Sequence, residues 1–253
     1  MVREYRFQLY GMLAYFVVLE ILLAAAILFW PDFEGNLDAL RSMAPLEALK
    51  GIVDQIGEAG VSAYVNGQHF FKGCNTVGML AAVIFAMGAV AGEAQRGTLE
   101  IWLARPLSRR RILLERFVAG AIAVTLPVFV SSATVPWLLD RVHEEMEFRD
   151  LMLGSLHQSI FLIAIYGITF FFSCVSSRPV VIAFVMLMFT IFEFALYMIQ
   201  DVTHISIFRL ADIDVFANIG ATHGLDLRIV IPMLAVIAMT LWGSLAAFAR
   251  RVP

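Results

Sequence analysis

Lysine is scarce in this 253-residue chain: it occurs twice, as Lys50 and Lys72, preceded by Leu49 and Phe71. A GxxxxGK[ST] phosphate-binding loop needs a Gly-Lys pair, so no ATP site of that type can be built here. Cysteine is equally sparse. Cys74 and Cys174 each sit inside an apolar run, and no CxxC or Cys/His metal spacing exists. No GxSxG occurs, and Ser155 with His157 in "GSLHQS" is too ordinary a pairing to serve as a nucleophile and its base. Charge is thin as well, 15% of residues against about 25% in soluble domains. The net charge of −3 says little, because its distribution matters more than its sum. No nucleic-acid partner is expected.

Apolar residues, in contrast, make up 60% of the chain, against roughly 45–50% in an ordinary soluble domain. Lipid is the solvent that composition suits. A spanning helix needs about 20 predominantly apolar residues. Six segments qualify: Leu9–Trp30, Cys74–Ala91, Ile112–Leu139, Gly154–Cys174, Pro179–Ile199 and Ile229–Ala249. They read as apolar all round, the mark of a helix buried in lipid or protein. Ala24-Ala25-Ala26 resembles a signal-peptidase site, but apolar sequence runs on through Trp30, too long for a signal peptide. The expected fold is therefore an all-α integral membrane protein with six transmembrane helices in one domain, residues 1–253.

Arginine sets the orientation. With the N-terminus inside, the inner side holds Arg3, Arg6, the block from Arg96 to Arg116, Arg178, Arg250 and Arg251, which is 11 of the 18 basic residues. Fifteen of the 21 acidic residues then lie outside. Positive charge accumulates on the cytoplasmic side, so both termini are expected in the cytoplasm and the protein in the cell (inner) membrane. Cys74 and Cys174 then fall at opposite faces, and no disulfide is expected.

Two outer connections are long, residues 31–72 and 200–228. In the first, "APLEALKGIVDQIG" runs from Pro45 to Gly57 with Leu46, Leu49, Val53 and Ile56 on one face, a short amphipathic helix. In the second, Phe208, Ile213, Phe216 and Ile219 alternate with polar residues. Both suit the membrane surface or a cap on the bundle. The aromatic and basic residues of 1–8 suit either an interfacial segment or an extension of the first helix. All five histidines fall at or near the outer face, where ordinary polar roles are commoner than metal ligation.

One inner stretch breaks the pattern. "AGEAQRGTLEIWLARPLSRRR" (91–111) carries seven charges between two apolar segments. After Gly97, "TLEIWL" has Leu99, Trp102 and Leu103 on one side and Glu100 on another, with Thr98 placed as N-cap. Arg105-Pro106 stops this helix, and Ser108 caps the next. Three consecutive arginines alone are ordinary positive-inside charge. A separate short helix bearing a Trp points instead to a docking protein.

The stretch "GEAQRGTLEIWLARPLSRRRILLERFVAG" resembles the signature of ABC type-2 (ABC-2) transporter permeases, and the six-helix layout resembles that family throughout. The matching positions are Glu93, Gly97, Thr98, Glu100, Arg105, Pro106, Ser108 and Arg109, while Ile101-Trp102 stands where the family often has two leucines. The resemblance implies that residues 94–111 form a cytoplasmic coupling loop, with a coupling helix between the second and third spans, docking through Leu99, Trp102 and Leu103 as well. It further implies two copies of an ATPase subunit, a second permease chain (the same or related), and ATP and Mg bound by the partner, with no cofactor in this chain. The first outer loop resembles that of drug or polyketide exporters in the family. Rival readings are an intramembrane enzyme, an ion-driven secondary transporter, and an ABC-like complex doing mechanical or regulatory work. No inverted repeats speak for the second.

Two carboxylates lie deepest in lipid, Glu20 and Glu193. A carboxylate at the bilayer centre costs about 2.5–3.5 kcal/mol on insertion scales, so neither is expected to face lipid. For Glu20 a buried structural contact is favoured. Glu193, with Phe192 and Tyr197 beside it, is favoured as part of a translocation path, since in the resembled family the fifth helix borders the central cavity.

Overall fold

The structure, a computed structural model, describes residues 2–43, 47–104, 106–199 and 201–251. It is 86% helical with no strand among the described residues. The elements are α1 (Val2–Glu34), α2 (Leu37–Met43), α3 (Glu47–Val65), a π-helix (Asn66–Gly78), α4 (Met79–Met87), α5 (Ala91–Gln95), α6 (Leu99–Leu103), α7 (Arg109–Asp140), α8 (Phe148–Val175), α9 (Pro179–Tyr197), 3₁₀ turns at Thr203–Ile205 and Ile207–Ala211, α10 (Ile213–Thr222) and α11 (Leu227–Arg250).

Six stretches are long and apolar enough to cross a membrane: Gln8–Glu34, Ile56–Met87, Arg109–Asp140, Phe148–Val175, Pro179–Tyr197 and Leu227–Arg250. The protein is a multi-pass, all-α membrane protein, as its composition demands. α8 is its axis, packed by α4, α7 and α11. Its spanning window is 67% buried, against 17% for those of α9 and α11, which turn most of their apolar surface outward. Such surface is stable against lipid or another apolar chain, and is costly only in water.

The second span departs from the expectation. It begins at Ile56 instead of Cys74, so the connection assigned to 31–72 is shorter and its residues from 56 onward are helix inside the bundle. The polar run "NGQHFFKGCN" reads as loop because hydropathy counts side chains one at a time. In the fold those side chains find partners on other elements: His69 Nε2 lies 2.9 Å from Ser132 Oγ, Asn75 donates to the Ala211 carbonyl (3.0 Å), and Gln158 donates to Asn75 Oδ1 (2.8 Å). Buried polar groups are tolerated when paired in this way. The segment is π-helical for 13 residues, unusually long for a form commonly met as a single turn and often at functional sites. The amphipathic helix expected to end at Gly57 also runs on, kinking only at Gly60, whose φ of 68° is left-handed and suits glycine. Pro45 and Leu46 lie outside the described residues.

Residues 2–8 continue into α1 without a break, so the N-terminal segment is an extension of the first helix, not a separate interfacial piece. At the same end as α2, α10 caps the bundle. Its Phe216 stacks on Phe70 with centroids 4.6 Å apart, and Phe208, Ile213 and Ile219 are buried with it. The turn 141–147 is tied to α1 by Trp30 Nε1 donating to Glu144 Oε1 (3.1 Å).

Candidate functional site

The arginine-rich end is built around a break in the second span. α4 stops at Met87, and the chain turns through Gly88–Val90 into α5. Helix ends leave amides and carbonyls without intrahelical partners. Here one hydroxyl serves both ends. Ser173 of α8, fully buried, accepts from the amides of Val90 and Ala91 (3.0 Å each) and donates to the Met87 carbonyl (2.9 Å). It pins the elbow between α4 and α5 to the axial helix.

Glu93, 4% exposed, then latches the turn that follows: Arg96 and Thr98 Oγ1 both donate to its carboxylate, and the Thr98 amide donates to its carbonyl (3.0 Å). Between them Gly97 has φ 70°, a left-handed conformation that favours glycine. Thr98, expected as the N-cap of α6, donates its hydroxyl to Glu93, whose carboxylate lies within reach. Ser108 caps α7 as expected, accepting from the Arg111 amide (3.3 Å).

The latch presents α6. Leu99 is buried (5%), while Ile101 is 63% exposed, and Glu100, Pro106, Leu107 and Ser108 are exposed too. Arg105 lies outside the described residues, as do the side chains of Trp102 and Leu103, although the backbone of both belongs to α6. Arg109 does more than supply charge. It donates to the carbonyls of Ala249 (3.0 Å) and Arg251 (2.8 Å) at the C-terminal end of α11. Arg251 in turn donates to the carbonyls of Cys174 (2.8 Å) and Ser176 (2.9 Å), closing the end of α8. Arg116 donates to the Ala89 carbonyl (2.9 Å). Cations at helix C-termini are favoured there twice, by hydrogen bonding and by the dipole. The ends of α4, α7, α8 and α11 are thus knitted to the base of α6. Ser173, Arg116 and Arg251 carry no motif, and sequence reasoning misses their part in this.

The deep carboxylates are not gathered into one site. Glu20 is on α1, which packs on α7 and the π-helix, whereas α9 packs on α4 and α8. One buried oxygen of Glu20 has no hydrogen-bond partner among the described residues. Glu193 is 8% exposed, and its Oε2 accepts from the Ile207 amide (2.9 Å) at the head of a 3₁₀ turn, while Ser206 Oγ donates to its carbonyl (2.8 Å). Tyr197, one turn on, donates to Asp212 Oδ1 (2.6 Å). Phe192 faces away, 60% exposed. Glu193 and Tyr197 therefore hold residues 206–212 onto α9, and these contacts favour a structural part for the carboxylate over the path role expected of it. Glu193→Ala strands a buried amide and is expected to cost about 1–3 kcal/mol of stability, with Glu193→Gln costing less because it keeps an acceptor. Thermal unfolding measures this. Unchanged stability with an altered range of transported solutes would return Glu193 to the path.

A family model described as ABC-2 family transporter protein matches residues 16–210. The match runs from the first span to the turn that Glu193 caps, and it contains the whole pinned and latched block. Comparison with individually curated proteins gives no significant match. With that match over the greater part of its length, the chain belongs to the ABC-2 transporter family.

Proposed function

We propose that this chain is the permease subunit of an exporter for a small amphipathic or lipophilic substrate, powered by ATP hydrolysis on a separate subunit. Two ATP-binding subunits dock on two permease chains, each through residues 97–111. The observation that carries this reading is α6: a five-residue helix anchored by buried Leu99 beside the buried Glu93 latch, with apolar Ile101 turned outward. An isolated turn of helix is unstable alone and gains nothing from exposing an isoleucine to water. A partner surface gives both features a purpose.

Movement of α6 reaches the bundle through short, specific bonds. The Glu93 latch joins it to α5, Ser173 joins α5 to α8, and Arg109 and Arg251 join α7, α11 and α8. Closure of the ATP-binding subunits would drag these four helix ends together and reopen the path at the opposite end. The outward faces of α9 and α11 leave room for the second permease chain, with Phe192 on one of them. ATP and Mg belong to the partner.

The orientation required is both termini in the cytoplasm and the acidic end outside. Cys74 and Cys174 are buried, so an introduced thiol can report alone. Asn36→Cys is expected to react with an impermeant maleimide added outside intact cells, and Glu100→Cys only after the inner face is opened. The reverse pattern would place α6 outside, beyond reach of any ATPase, and end the proposal. A transport assay with inside-out vesicles then separates export from mechanical or regulatory work.

A further inference from the structure

At the acidic end, a group of ionisable side chains lies far from α6 and takes no part in docking there. α10 ends at His223, which has φ 51° and ψ 35°, a left-handed position that glycine usually fills. That turn brings the imidazole against the start of α8. Nδ1 lies 2.9 Å from Asp150 Oδ1 and 3.7 Å from Glu147 Oε2. One donor atom from each of the three residues falls within 4.8 Å of the others. Zinc binds nitrogen and oxygen at about 2.0–2.2 Å in tetrahedral sites, which sets ligand atoms roughly 3.3–3.6 Å apart. Asp150 is fixed, and the side chain of Glu147 is 67% exposed and free to close the difference.

The three residues line a cavity of about 400 Å³. Asn66, from the start of the π-helix, lines it too. Asn66 is 5% exposed, and its side-chain amide has no hydrogen-bond partner among the described residues. An amide on that wall can bond a water or another polar occupant of the cavity. Glu145 adds a further carboxylate to the lining, and Arg149, donating to the His223 carbonyl (3.1 Å), is the nearby opposing charge. One imidazole with two carboxylates suits zinc and related divalent ions. Calcium and magnesium prefer oxygen throughout.

We propose that Glu147, Asp150 and His223 form a binding site for a divalent cation of the zinc class, with Asn66 facing the water that completes its coordination. The bound ion clamps the end of α10 to the start of α8. The hydrogen bond to Asp150, and then its charge, raise the His223 imidazole above its ordinary pKa. The metal must displace that proton, so binding is best measured on the alkaline side of neutral.

The test uses the full chain, purified in detergent, freed of metal with EDTA and titrated with Zn²⁺ alone at mildly alkaline pH. A single saturable Zn²⁺ per chain is expected, with a rise in the unfolding temperature. His223→Gln and Asp150→Asn are expected to weaken binding by more than the 10–100-fold, roughly, that loss of an outer-shell contact costs. Should either variant fail to fold, Glu147→Gln decides the question, because its side chain is exposed and its loss leaves the fold intact. Absence of saturable binding in the wild type overturns the proposal. So does zinc held equally by wild type and Glu147→Gln, or calcium bound as tightly as zinc. In any of those cases His223 and Asp150 are an ion pair and nothing more. The outcome is independent of whether α6 docks an ATPase.

Discussion

A chain carrying Ile101→Glu is expected to reach the membrane, fold with the wild-type unfolding temperature, and capture no ATP-binding subunit. Ile101 is 63% exposed, so its replacement leaves the bundle untouched, and surface changes of this kind usually stay within about 0.5 kcal/mol. At an interface the same change buries a carboxylate in an apolar pocket. Central apolar or aromatic anchors cost about 2 kcal/mol or more when merely truncated, a loss of at least roughly thirtyfold in affinity, and a buried unpaired charge costs more. Stimulated ATP hydrolysis should fall in step with capture. A variant that retains its partner and its ATPase stimulation would show that α6 is not the docking element.

Ser173→Ala is expected to be among the most damaging single changes at that end. Its hydroxyl makes three buried bonds at the elbow, two of them from amides that have no substitute acceptor among the described residues. Each stranded donor costs about 1–3 kcal/mol. The unfolding temperature should drop, and amide exchange should rise at residues 88–98 ahead of the rest of the chain, since the elbow alone loses its tether. The Glu93 latch would survive while its attachment to α8 is lost, so ATP hydrolysis should continue in the complex with less transport per ATP. Wild-type stability and wild-type exchange at 88–98 would remove Ser173 from the link.

Most of the fold is legible in the sequence because lipid imposes a long apolar run on every span. The second span is the exception. His69 and Asn75 read as loop because their hydrogen-bond partners, Ser132, Gln158 and the Ala211 carbonyl, are far away in sequence. The block at 91–111 is legible in outline, since Gly97, Pro106 and Ser108 act through local backbone geometry. The bond that Thr98 donates to Glu93 is not legible there, because finding that carboxylate within reach takes three-dimensional knowledge. Ser173 lies in "FFFSCVSS" with nothing to mark it, and Arg251 looks like plain positive-inside charge. Phe192 and Glu193 stand about 100° apart on a helix and cannot share a face. That separation is available from spacing alone, and it argues against both lining one translocation path.

The decisive measurement is the composition and energetics of the native assembly. The tagged wild-type chain, extracted gently from its own membrane, should carry an ATP-binding subunit in equal amount. In inside-out vesicles that assembly should move solute only when ATP is hydrolysed, and dissipating ion gradients should leave transport intact. A chain that purifies free of any ATP-binding protein and moves its solute on an ion gradient without ATP would contradict the assignment of its energy source to a partner docked at α6.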